Sequence, residues 1–92
     1  MVETKKKIFG YEVVARAMAG QGITHVFGIV GVPVIDLGSS IMENDINYFG
    51  FRNEQAASYA AGAIGYLTKR PGVCLAVSGP GMTNAISGMA EA

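Results

Sequence analysis

Three short apolar runs, each separated from the next by a helix-like stretch, constrain this chain more than any other feature. Residues 26–30 hold two valines, an isoleucine and a phenylalanine, and residues 73–77 are again continuously apolar. Runs that are apolar at nearly every position read as strands covered on both faces, the pattern of parallel sheets. Residues 46–51 form a further run of more mixed polarity. Helical periodicity fills the gaps. Residues 11–19 place Val13, Val14, Ala17 and Met18 on one face, and Gly20 and Gly22 end that helix. Residues 33–42 read as a helix weakened by Gly38. Residues 54–69 give the strongest helix signal, rich in alanine, with Asn53 as its N-cap. Its alanines and glycines suit close packing against a neighbour. Pro71-Gly72 marks the next turn, Ser78-Gly79-Pro80-Gly81 a tight one, and residues 83–92 begin another helix.

The resulting order is α-β-α-β-α-β-α. Strands that alternate with helices predict an α/β fold with a parallel sheet and right-handed crossovers. Strands one and three, the most apolar, are expected at the centre, and strand two outside strand one. That gives a local order 2-1-3 with helices on both faces, part of a doubly wound parallel sheet. The 92 residues make at most one small domain. Three strands are few for this class, and residue 92 falls inside a helix-like stretch. The expectation is therefore the N-terminal part of a domain, residues 1–92, truncated at its C-terminus.

Charge narrows the function classes. Seven acidic and seven basic residues cancel, so no basic face supports nucleic-acid binding. Lys5-Lys6-Lys7 reads as a solvated, frayed end. The basic start is not followed by the apolar run of a signal peptide, and no stretch reaches the roughly 18 apolar residues of a membrane helix. The single cysteine, Cys74, cannot form an internal disulfide. A reducing, intracellular compartment follows, with Cys74 as core filler.

In open parallel sheets, ligands bind beyond the carboxyl ends of the strands, where the strand order reverses. Here that point lies between strands one and three. Gly31-Val32-Pro33, Arg52-Asn53-Glu54 and Ser78-Gly79-Pro80-Gly81 all follow strands and converge on that edge. Glu54 is the carboxylate there that stands next to a helix start. Position alone leaves two readings: a functional group, or a first-turn acid that complements the helix dipole by about 0.3–1 kcal/mol. His25 lies at the opposite end of the sheet. Asp36 and Glu43 read as exposed helix positions, and Asp45 as part of a turn. Gly79-x-Gly81-x-x-Asn84 partly matches a dinucleotide fingerprint but lacks its third glycine. No phosphate loop, no metal-ligand cluster and no Gly-x-Ser-x-Gly elbow is present. The residues alone thus leave open an enzyme piece, a non-catalytic nucleotide-binding module and a dimerisation module.

Three motifs carry a family likeness. Val26-Phe27-Gly28-Ile29-Val30-Gly31-Val32-Pro33 resembles the first strand and loop of the thiamine-diphosphate decarboxylase and lyase superfamily. Phe51-Arg52-Asn53-Glu54-Gln55-Ala56-Ala57 resembles the segment with its cofactor-activating glutamate. Residues 70–85, with Ser78-Gly79-Pro80-Gly81-Met82-Thr83-Asn84, resemble the strand and turn that follow. The likeness is greatest to 2-hydroxyacyl-CoA lyases, then oxalyl-CoA decarboxylases, and acetolactate synthases share the last turn.

The resemblance implies a pyrimidine-binding domain and thiamine diphosphate as cofactor. It implies that Glu54 is catalytic: it hydrogen-bonds N1′ of the aminopyrimidine and shuttles a proton that promotes the imino tautomer, which activates C2. Gly31, Val32, Pro33, Ser78, Gly79, Pro80 and Asn84 would line the cofactor, with Val32 and Pro33 shielding the reactive carbon. Mg²⁺ and the diphosphate would be held by a separate domain. The implied reaction cleaves a 2-hydroxyacyl-CoA to formyl-CoA and an aldehyde. The implied assembly is a homo-oligomer, dimer or tetramer, peroxisomal for a eukaryotic lyase and otherwise cytoplasmic. The isolated chain is expected to be inactive.

Overall fold

A computed structural model describes residues 7–92. The lysine run falls outside these apart from Lys7, which is exposed. β1 (His25–Gly28) lies between β2 (Asn47–Gly50) and β3 (Val73–Leu75). Both neighbours run parallel to it, so the predicted order 2-1-3 is what the chain forms. Val26 stands opposite Tyr48 and Val73, and Phe27 opposite Phe49 and Cys74. That register sends Val26, Tyr48, Val73 and Leu75 to one face, because side chains alternate along a strand.

This face holds the core. α1 (Gly10–Gly20) and α2 (Ile35–Glu43) cover it, and Ala15, Ile23, Val26, Ile41, Ile46 and Leu75 pack there as one buried cluster. Val26 and Ile41 lose essentially all contact with water, each contributing about 1.5–3 kcal/mol. α3 (Glu54–Thr68) lies on the opposite face against β1 and β3, and α4 (Pro80–Glu91) packs on α3. Gly88 of α4 meets Ser58 of α3 so closely that a Cβ at position 88 would collide with it.

The structure corrects several expectations. α1 turns Ala15, Met18 and Ala19 inward, while Val13 and Val14 are 54% and 46% exposed. At about 100° per residue, Val13 and Ala17 lie nearly opposite Ala15, and the small alanine lets the helix sit close. Residues 33–42 are not one helix: Pro33 sits in a 3-10 turn, Val32–Val34, and α2 starts at Ile35. Among the described residues β3 pairs with β1. β1 is buried on its Val26 face, but on the other face Phe27 is only half-buried and stacks on Phe49. α4 begins at Pro80 rather than residue 83. Proline has the fixed φ of a first helical residue and no N–H to leave unpaired there.

Asp36 and Glu43 are exposed on α2, and Asp45 occupies a left-handed turn with φ 61°. α3 runs to Thr68, with Lys69 left-handed at its end.

Candidate active site

Because all three strands are parallel, the loops that follow them share one edge of the sheet. Glu54 stands on that edge because of its predecessor. Asn53 is extended, and its Oδ1 accepts hydrogen bonds from the backbone N–H groups of Gln55 at 2.8 Å and Ala56 at 3.2 Å. This is the N-cap read from sequence, and it makes Glu54 the first residue of α3. Phe51 N–H still donates to Gly28 carbonyl oxygen at 2.8 Å, so the chain leaves β2 in register before it turns.

The Glu54 carboxylate is half-buried and has one partner, thirty residues away. Asn84 Nδ2 donates to Glu54 Oε1 at 3.2 Å. The start of α4 makes this reach possible. Gly79 caps the helix with φ 80° and ψ −121°, a conformation strained for any side chain. Thr83 Oγ1 donates to the Gly79 carbonyl at 3.0 Å, tightening the same turn. A Cβ on Gly81 would stand 3.5 Å from Glu54 Oε2, so the α4 backbone runs beside the second carboxylate oxygen. Glu54 thus sits at the first turns of two helices, where N–H groups and the dipole favour negative charge.

A cavity of about 1150 Å³ opens beside this pair, between α3, α4 and β3. Pro33 and Ser78 line it together with Cys74, Met82 and Ala85, while Glu54 and Asn84 lie outside its lining. Cys74 links the two regions. Burial first, and then the nearby Glu54 charge, push its thiol above the ordinary 9.0.

The structure therefore brings Glu54 and Asn84 together and gathers Pro33 and Ser78 around one cavity. A Cβ on Gly31 would run into Val77, which ties the loop after β1 to the segment after β3. Val32 is exposed, as are Gly79 and Pro80. His25 opens β1 at the opposite edge, where it bonds Thr24 Oγ1 at 2.7 Å. Cys74, Met82 and Ala85 were not read as site residues. Their sequence signal, an apolar strand and an apolar helix face, is that of ordinary core. Among the described residues, no three His, Cys, Asp or Glu side chains gather to hold a metal. No described helix is long and apolar enough to cross a membrane.

The family model described as thiamine pyrophosphate enzyme, N-terminal TPP binding domain, matches residues 9–92. The chain is 52% identical over 89 residues to 2-hydroxyacyl-CoA lyase 1 of Homo sapiens, 97% of this chain and 15% of that protein. It is 46% identical over 89 residues to 2-hydroxyacyl-CoA lyase of Arabidopsis thaliana, 97% of this chain and 16% of that protein. It is 42% identical over 83 residues to oxalyl-CoA decarboxylase of Escherichia coli, 90% of this chain and 15% of that protein. The chain thus spans about 15% of the length of the human relative.

Proposed function

Since the chain belongs to the thiamine pyrophosphate enzymes through their N-terminal TPP binding domain, we propose that Glu54 is the carboxylate that exchanges a proton with the cofactor's aminopyrimidine ring. The donor chemistry of the residues fits that ring. A carboxylate with one oxygen unclaimed can accept from, or donate to, a ring nitrogen. The neighbouring Pro33, Met82 and Ala85 offer apolar surface, and Ser78 and Asn84 offer neutral polar groups. Thiamine diphosphate, when bound, supplies the electron sink that carbon–carbon cleavage needs.

The residues of this chain would do the rest. Glu54 holds and moves the proton. Gly31 lets the loop after β1 close on Val77, Gly79 adopts the positive φ that starts α4, and Pro80 fixes where α4 begins. Val32 and Pro33 exclude water from the reacting carbon. We read the chain as the leading part, residues 1–92, of a pyrimidine-binding domain in a longer homo-oligomeric enzyme. Its length relative to the relatives supports this, and the missing share leaves room for a separate domain that holds Mg²⁺ and the diphosphate.

The proposed reaction is cleavage of a 2-hydroxyacyl-CoA to formyl-CoA and an aldehyde, supported by 52% identity to a protein of that name. The 42% identity to an oxalyl-CoA decarboxylase supports a second reading with the same cofactor. Incubation with each acyl-CoA separates them: an aldehyde is released in the first case, carbon dioxide in the second. The carrying observation is a half-buried carboxylate at the carboxyl edge of a parallel sheet, held by one amide. Its test is Glu54→Gln in the holoenzyme. Deuterium exchange at the cofactor's C2 should fall by about 10²–10⁴-fold, the usual contribution of a positioned acid–base group. Unchanged exchange removes the proposal.

A further inference from the structure

We infer that Asn84 is the positioning residue of the Glu54 carboxylate, and that Oε2 is the oxygen left to meet a ligand. The inference rests on the reading of Glu54 given above and adds which oxygen acts and what aims it. Asn84 Nδ2 donates to Oε1 at 3.2 Å. An amide nitrogen carries donor hydrogens and accepts none. A proton placed on Oε1 would therefore face another N–H, so a proton on this carboxyl belongs on Oε2. No described group donates to Oε2, and the backbone at Gly81 passes beside it.

The position of Asn84 gives a second observation. It lies in the second turn of α4, past the residues whose N–H groups need a cap, and it is exposed. Asparagine is a weak helix former because its side chain competes for backbone partners. Here the side chain instead crosses to another helix. The packing of α3 on α4 sets that crossing, because Gly88 leaves no gap against Ser58. Glutamate has several rotatable bonds, and a carboxylate fixed before the ligand arrives is oriented without ordering at the moment of reaction.

Nuclear magnetic resonance of the labelled chain without ligand tests the contact. In Glu54→Gln the Asn84 side-chain amide signals should leave their wild-type positions, while those of Asn44, which bonds the Ser40 carbonyl, stay in place. Asn84 signals that do not move in Glu54→Gln overturn the inference. The second arm uses the holoenzyme with Asn84→Leu, which keeps bulk and removes the donor. With the cofactor held at saturating concentration, C2 deuterium exchange should slow by about tenfold, as expected when a reacting group loses its orientation. Exchange equal to wild type in Asn84→Leu removes the inference and leaves the role of Glu54 intact. Exchange unaffected by Glu54→Gln removes both.

Discussion

Gly88 of α4 lies against Ser58 of α3 with no space between them for a side chain. Both residues are buried, and Ser58 Oγ is already committed to the Gln55 carbonyl at 2.9 Å, so it cannot swing aside without losing that bond. Gly88→Ala therefore sets two effects against each other. Alanine favours a helix over glycine by about 1 kcal/mol. Overpacking at a closed contact opposes this by about 1–3 kcal/mol. The collision wins, and the expected result is a lower urea midpoint with an unchanged slope. Ser58→Ala in the same chain should restore only part, because Ser58 Cβ and backbone also meet the new methyl group.

Asn53→Ala should cost about 1 kcal/mol, the usual loss for an N-cap asparagine. Two backbone N–H groups, those of Gln55 and Ala56, lose their acceptor. Hydrogen exchange at these two amides should quicken well before exchange at Ala61, which is deep in the same helix. Since Glu54 is the first residue of α3, the same fraying should loosen its carboxylate.

What the sequence disclosed, and what it hid, divides by range. The Asn53 cap, the turn at Asp45 and the order 2-1-3 follow from residues adjacent in the chain or from run polarity, and the structure holds all three. The α1 face did not follow. Valines outweigh alanine on any hydrophobicity count, yet close approach selects Ala15. The start of α4 was disguised by two glycines around Pro80, although proline suits a first helical position. The Asn84–Glu54 bond had no signal at all. It spans thirty residues and exists only because α3 and α4 pack side by side, which no periodicity encodes.

The Cys74 thiol gives a pH dependence with a definite sign. Burial, and secondarily the Glu54 charge, raise it from the ordinary 9.0. The folded chain then keeps the thiol proton to higher pH than the unfolded chain does. The associated stability is whole below the unfolded value and drains away as pH rises through the folded one. Denaturant unfolding should show stability falling as pH climbs past 9.0, with Cys74→Ala flattening that fall. Burial moves Tyr48 the same way from 10.0, so the comparison belongs below that point. Alkylation by iodoacetamide should also quicken modestly in Glu54→Gln, because the smaller of the two causes is removed.

Gly79→Ala separates backbone strain from crowding. A Cβ at this position would meet nothing within 4 Å, yet φ is 80° with ψ −121°. Any loss must therefore come from forcing an L-residue into a region reserved for glycine, about 1–3 kcal/mol. The chain can escape that strain by unwinding the first turn of α4, which Thr83 Oγ1 otherwise ties to the Gly79 carbonyl. Unwinding would draw Asn84 away from Glu54. The expected result is a lower thermal midpoint together with displacement of the Asn84 side-chain amide signals from their wild-type positions. If the midpoint falls while those signals keep their wild-type positions, the turn absorbs the strain locally and α4 keeps its grip on Glu54.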